Sequence, residues 1–217
     1  MMHIIGEITL SISLVFYLVG MWPQIIHTEK TESTNGFSKN LHICLFIAAC
    51  FDLIYVNGQN MEWQARLVTI SLIINLIIQQ IQFLRFNKNN KGSYIVLILI
   101  LNTFLLMSIY LTTTQHLKSA TYNTIGFISI IFYHLYTFPQ IYTNSKLKST
   151  KDLSSVFIYN LIIVSFLDLS SAICLSWNWP SIIGPIFALT PTIILIAQIH
   201  YYKKVNNQNT EPSLATQ

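Results

Sequence analysis

One segment of this chain is present twice, and that duplication limits the possible folds more than any other feature. The segment Tyr136-Thr137-Phe138-Pro139-Gln140-Ile141-Tyr142-Thr143-Asn144, with Ser149-Thr150 and Ser154 behind it, echoes Met21-Trp22-Pro23-Gln24-Ile25-Ile26-His27-Thr28, with Ser33-Thr34 and Ser38, at an offset of 116 residues. The register runs without a gap through Lys30/Lys146, Asp52/Asp168, Trp63/Trp179 and Gln82/Gln198. Between Leu10 and Lys88 against Gly126 and Lys204 there are 21 identities in 79 aligned pairs. Shared apolar composition does not bring Pro, Asp, Trp and Lys into register together. The chain therefore carries an internal repeat, and the repeat sets the architecture.

Only 9% of the 217 residues are charged and 53% are hydrophobic, where soluble domains carry roughly 25% charge. So much apolar side chain has no place in a water-soluble fold, and the composition predicts a polytopic membrane protein. Seven runs are long enough to cross about 30 Å of hydrocarbon at about 1.5 Å per residue: roughly 5–28, 40–57, 65–86, 94–113, 122–144, 155–175 and 181–202. The predicted fold class is all-α, seven transmembrane helices in a 3+1+3 arrangement. Residues 1–92 form the first three-helix repeat, 93–120 a linker helix, 121–204 the second repeat, and 205–217 a disordered tail. Three spans in tandem would leave the copies upside down to one another; the unpaired fourth span restores a common direction. The repeats then run parallel about an axis along the membrane normal.

Basic residues fall on one side. Lys30, Lys39, Arg85, Lys88, Lys91, Lys146, Lys148, Lys151, Lys203 and Lys204 share it, against Arg66 and Lys118 on the other. The positive-inside rule then predicts a cytoplasmic C-terminus and an N-terminus facing the outside or a lumen. A bacterial inner membrane and an endolysosomal membrane both fit. Met1-Met2-His3 lacks the basic start of a cleaved signal. The cysteines Cys44, Cys50 and Cys174 lie in apolar runs without metal or disulfide spacing, and the seven glycines form no nucleotide loop. No metal and no cofactor are expected.

Pro23 and Pro139 sit in the first helix of each triplet. Each frees the carbonyl four residues back, at Val19 and Leu135, and kinks the helix. A static kink is common in membranes, but the same kink in both halves, beside an amide, suits a hinge or gate. Asp52 and Asp168 carry the sharper signal. Each lies eleven to thirteen residues into its helix, about 17–20 Å along, where an ionised carboxylate is costly and usually marks a cavity, a partner or an ion path. No Lys or Arg occurs in the apolar centre of any span to pair with them. Burial and like charge both work against ionisation, so these two residues are candidates to carry a proton, bind a cationic group, or both. The competing reading is a neutral Asp bonded to backbone for packing.

Gln24 and Gln140 are candidates to bond either solute or freed backbone. Asn75, Gln79, Gln80 and Gln82 are candidates for polar contacts in span three, Asn75 also for solute. Tyr17 and Tyr133 recur in both halves and either line the cavity or pack. Trp63 and Trp179 read as interfacial anchors, His134 as a core histidine with its bonds satisfied, and Ser38 and Ser154 as caps opening the second helix of each triplet. Pro185 and Pro191 are expected to break span seven.

Pro-Gln, then Lys-x-x-Ser-Thr, then Ser four residues on, twice in a seven-span chain, resembles the PQ-loop family, which includes cystinosin, the lysosomal cationic amino acid exporters and the SWEET sugar transporters. The resemblance covers all but the linker helix and the tail. It implies a pathway between the triplets, exposed to each side in turn by rocking. Phe51-Asp52-Leu53-Ile54-Tyr55 is similar to the Leu-Trp-x-x-Tyr run of SWEET-like chains with Asp in place of Trp, while the asparagine expected in the third helix is absent and Thr69 and Pro185 fall nearby instead. Intramembrane acids resemble instead the cystinosin and cationic amino acid branch, by residue type and not by position. The expected function is proton-linked secondary transport of a small polar organic solute, an amino acid of cationic or cystine-like kind. Facilitated sugar diffusion and a non-transporting receptor on the same fold are the alternatives. An intramembrane aspartyl protease would need Gly-x-Gly-Asp, which neither acid has, so no enzyme is expected. The expected partners are a small-molecule substrate, protons and the bilayer, with no nucleic acid.

Overall fold

In lipid every backbone N–H and C=O must be paired within the protein, and the apolar runs answer by folding as helices. The computed structural model describes residues 1–34, 39–87, 91–114, 117–135, 137–150 and 153–210, without the side chains of 206–210. Within these the order is α1 Met2–Gly20, α2 Trp22–Thr31, α3 Lys39–Gly58, α4 Trp63–Phe86, α5 Lys91–Thr114, α6 Ser119–Leu135, α7 Thr137–Leu147, α8 Ser155–Cys174 and α9 Trp179–Thr210. Six of the resulting segments are long and apolar enough to span a membrane, the first being α1 and α2 together over Met2–Thr31. The seventh is the corresponding pair α6 and α7, on either side of residue 136, which lies outside the described residues. Helices α1 to α4 form one repeat and α6 to α9 the other, with α5 between: the expected 3+1+3 layout of a multi-pass membrane protein.

The break between α1 and α2 falls at Met21, two residues before Pro23, because a proline ring disturbs the turn that precedes it. The Met21 carbonyl then accepts from the N–H groups of Gln24 and Ile25, both at 3.0 Å, so the ladder resumes at once. Pro139 holds the matching place, third in α7. Pro185 and Pro191 behave differently from expectation: α9 passes through both without a break. Each removes one ladder bond, but in a span the remaining backbone groups have no better partners than their own helix. The helix also runs on to Thr210, six residues into the segment expected as tail, while 211–217 lie outside the described residues.

The duplication extends to the backbone. Four non-glycine residues adopt the left-handed conformation, Glu32 (φ 47°), Lys148 (φ 48°), Asn60 (φ 50°) and Ser176 (φ 54°). They form two pairs separated by the repeat offset, and each ends a helix, as left-handed residues commonly do. The turns after α3 and α8 close with matching bonds, Met61 N–H to Val56 O at 3.1 Å and Trp177 N–H to Ala172 O at 2.9 Å.

The two repeats face each other through α1 against α8 and α3 against α6. Phe46, Leu76, Phe157, Ile158 and Leu195 are fully buried in one cluster spanning both repeats. Helix α5 packs on α3 and, less, on α4, where the Asn102 amide donates to Gln80 Oε1 at 2.9 Å. Its other face, with Val96, Leu99, Ile100, Leu106 and Met107, is exposed and apolar, as a lipid-facing helix must be. The linker helix therefore packs on the flank of the first repeat, which breaks the symmetry between the halves.

Candidate functional site

Asp52 and Asp168 each stand thirteen residues beyond the first residue of their helices, Lys39 and Ser155. Because α3 and α8 face the same interior, both carboxylates open onto one cavity of about 200 Å³ between the repeats. Pockets for drug-sized ligands run about 300–1,000 Å³, so this space suits a solute the size of an amino acid or a monosaccharide. Among the described residues the two aspartates are the only acidic or basic side chains in its lining; no Lys, Arg or His takes part. Tyr17, Tyr133, Thr69, Asn160, Ser165 and Ser181 add polar surface among aliphatic walls.

The acids are held by hydroxyls, and not in the same way. Asp168 accepts from Ser13 at Oδ1 (2.5 Å) and from Tyr17 at Oδ2 (2.8 Å). Both donors are on α1, so these bonds cross from one repeat to the other. Asp52 accepts from Thr69 at Oδ2 (2.6 Å), a bond inside the first repeat. Ser129 is the counterpart of Ser13, yet its hydroxyl donates to the Ala48 carbonyl at 3.0 Å.

Further polar contacts join the repeats at either end of the cavity. At the lysine-rich end the Ser154 N–H donates to Gln24 Oε1 at 2.8 Å, while the Ser154 hydroxyl caps α8 by accepting from Phe157 N–H at 3.4 Å. Gln24 thus completes, from the first repeat, the N-terminus of a helix in the second. Gln140, also fully buried, donates to Asn144 Oδ1 at 2.8 Å, and Asn144 donates on to Gln198 at 3.0 Å. At the opposite end the Tyr55 and Ser181 hydroxyls lie 3.0 Å apart, and the Trp177 indole N–H donates to Glu62 Oε2 at 2.7 Å.

Of the residues expected in the site, Asp52, Asp168, Tyr17 and Tyr133 meet at the cavity. Gln24 and Gln140 instead are buried near the starts of the short helices α2 and α7, beside Pro23 and Pro139. Asn75 is buried on α4 away from the cavity. Trp63 and Trp179 are 62% and 70% exposed at the starts of α4 and α9. Ser154 caps α8 as expected, whereas Ser38 lies outside the described residues. His134 does not match its reading as a histidine with satisfied bonds. Among the described residues neither ring nitrogen has a hydrogen-bond partner, and the ring packs 5.3 Å from Phe187, because helix backbone and apolar side chains surround it.

Ser13 was not singled out from sequence, although Ser13/Ser129 is an identical pair four residues before Tyr17/Tyr133 and the signal was there to read. Asn160 gave no such signal, since its repeat counterpart is Cys44. Its amide donates to the Phe16 carbonyl at 3.4 Å and lies close against Gly20. The three cysteines are free thiols, and no metal-binding cluster occurs among the described residues.

Comparison with known proteins agrees with this geometry. The family model described as the PQ loop repeat matches twice, over residues 5–65 and 121–181. No curated protein sequence matches significantly. Among solved structures, the 3.7 Å structure of a eukaryotic SWEET transporter superposes with a TM-score of 0.69 at 12% identity, covering 94% of this chain and 99% of that one. At that identity the likeness is one of fold.

Proposed function

The chain belongs to the PQ-loop repeat family, and on that footing we propose that it is a secondary transporter moving a small polar organic solute, an amino acid of cationic or cystine-like kind, by proton-linked alternating access. One observation carries the reading: two intramembrane carboxylates, with no basic residue among the lining, converge on one solute-sized cavity between two repeats. A buried carboxylate without a counter-ion is expensive in a membrane, and a proton or a solute ammonium removes that cost. Each can neutralise the site in turn, which links the two fluxes.

The parallel repeats supply the moving parts. The α1–α8 and α3–α6 faces are where one repeat can rock against the other, and the break preceding Pro23 lets the short helix α2 tilt. In the proposed orientation the lysine-rich end is cytoplasmic, following the distribution of basic residues.

The test is flux of an amino acid panel into proteoliposomes holding the purified protein, with and without an inward proton gradient. Acceleration by the gradient, strongest for Lys, Arg, His or cystine, is expected. The SWEET-like fold and the aromatic lining of Tyr17, Tyr55, Tyr133 and Trp177 favour a second reading, facilitated sugar diffusion. Uptake indifferent to the gradient and competed by hexoses would select it. Ligand binding without flux of either class would indicate a receptor.

A further inference from the structure

The two acids occupy equivalent positions in the repeats, yet their bonds do different mechanical jobs. The face between α1 and α8 is a polar seam. From the end opposite the lysines it runs through Thr9 Oγ1 and Ser171 Oγ, 2.9 Å apart, then Ser13 and Tyr17 on Asp168, then the Asn160 amide on the Phe16 carbonyl. Thr9, Ser13 and Tyr17 are spaced by four and share one helix face. The equivalent face between α6 and α3 is built otherwise. Ile125 stands where Thr9 does and Cys44 where Asn160 does, Ser129 is engaged by backbone, and Asp52 is turned to Thr69 of its own repeat.

We propose that the two carboxylates divide the work: Asp168 is the proton-operated latch that holds α8 of one repeat against α1 of the other, and Asp52 takes the cationic group of the solute. The assignment rests on the transporter reading for its solute half alone. An ionised Asp168 accepts two charge-assisted bonds, one on each oxygen, and such bonds are about twice as strong as neutral ones. A protonated Asp168 donates from one oxygen and accepts at the other, so both bonds become neutral and lose their charge assistance. Proton uptake therefore loosens the seam between the rocking bodies. Protonating Asp52 changes a bond within one repeat and leaves the seam alone. Asp52 makes one hydrogen bond among the described residues and faces the shared cavity, so it keeps acceptor capacity for an ammonium or guanidinium group.

Around Asp168 the one other acidic or basic side chain lining the cavity, among the described residues, is Asp52. On α1 the titratable neighbour is Tyr17. Across the cavity are Asp52 and Tyr55 of α3 and Tyr133 of α6. Helix α9 presents Ser181 and Pro185, its His200 being bonded to Tyr159 near the other end of α8 at 2.7 Å. Helix α2 reaches the start of α8 through uncharged Gln24.

Spin labels placed by Val19→Cys and Val156→Cys report the seam, since both positions are exposed at the lysine-rich ends of α1 and α8. The background replaces the three native thiols by Cys44→Ala, Cys50→Ala and Cys174→Ala. The α1–α8 distance distribution is measured in liposomes at neutral and acidic pH. The expected result is a longer distance in acid, absent in Asp168→Asn and retained in Asp52→Asn. Tyr17→Phe, which keeps the acid but removes one donor, should show the longer distance already at neutral pH. In parallel, affinity for radiolabelled arginine should fall at least about tenfold in Asp52→Asn. An acid shift that survives Asp168→Asn, or that disappears in Asp52→Asn, overturns the assignment, as does no shift in the parent. A shift that follows Asp168 in a protein without flux would sustain the latch and sink the transporter reading; proton-driven flux without the shift would do the reverse.

Discussion

Gln82 and Gln198, one in each repeat, make the same bond. Each side-chain amide donates to a backbone carbonyl in a short helix, Gln82 to Ile25 of α2 at 2.9 Å and Gln198 to Ile141 of α7 at 3.1 Å. The third helix of each triplet thereby holds α2 or α7 at its angle. A buried hydrogen bond contributes about 1 kcal/mol net, so Gln82→Leu and Gln198→Leu should each lower unfolding free energy by about 1–2 kcal/mol, measured by thermal or denaturant melts in detergent. Comparable losses at both sites are expected. A large loss at one and none at the other would mean that the duplicated bond does unequal work.

Gly20 on α1 faces Asn160 of α8. A β-carbon there would collide with the Asn160 amide, so either the amide leaves the Phe16 carbonyl or the two helices part. Gly20→Ala should wedge the lysine-rich end of the seam apart, cutting flux at least about tenfold while the protein still inserts; a loss of roughly 1–3 kcal/mol in stability is expected. Measuring both separates a wedged carrier from an unfolded one. Asn160→Ala added to Gly20→Ala should restore part of the flux by clearing the space.

Lys148 ends α7 in left-handed backbone at φ 48°, which costs a residue with a β-carbon about 1–2 kcal/mol. Lys148→Gly should therefore raise stability by roughly 0.5–1 kcal/mol, the relief being partly offset by the extra freedom glycine has when unfolded. Glu32→Gly should do the same in the first repeat. Melting curves decide it; a fall in stability would show that the side chain contributes more than the strain removes.

Trp177 and Glu62 join the repeats at the end opposite the lysines through a single 2.7 Å bond. A hydrogen bond to a charged group is worth about 1.5–3 kcal/mol. Trp177→Phe keeps the ring and removes the donor, so it should favour opening at this end by roughly tenfold or more in equilibrium constant. A thiol introduced by Met61→Cys, buried beside the cavity, should then react faster with a membrane-impermeant reagent added from that side. An unchanged rate would mean that the bond does not hold this end shut.

Much of the fold could be read before the coordinates. Asp52 and Asp168 stood out because a carboxylate in an apolar run is rare, and the offset placed both at one depth. Gln82 and Gln198 are visible as an in-register pair, and Gln82 reads as a general polar contact of span three, because nothing in a sequence says which carbonyl an amide reaches. Pro185 and Pro191 misled, since a proline shows that a bond is missing and not whether the helix ends there. His134 misled in the opposite sense: its ring nitrogens have no hydrogen-bond partner among the described residues, and the ring packs on Phe187, far along the chain.

The sequence by itself determined the seven spans, their 3+1+3 order, the repeat and the depth of the two acids. These follow from hydropathy, chain direction and a fixed offset, all of which are written along the chain. Only the tertiary structure decided that Asp168 answers to Ser13 and Tyr17 across the repeats, while Asp52, with Ser129 and Tyr133 at the matching places, answers to Thr69. Hydrogen bonds form or fail over a few tenths of an ångström. At that scale the linker packed on one repeat, and the exchange of Cys44 for Asn160, leave two matching sets of residues in different surroundings.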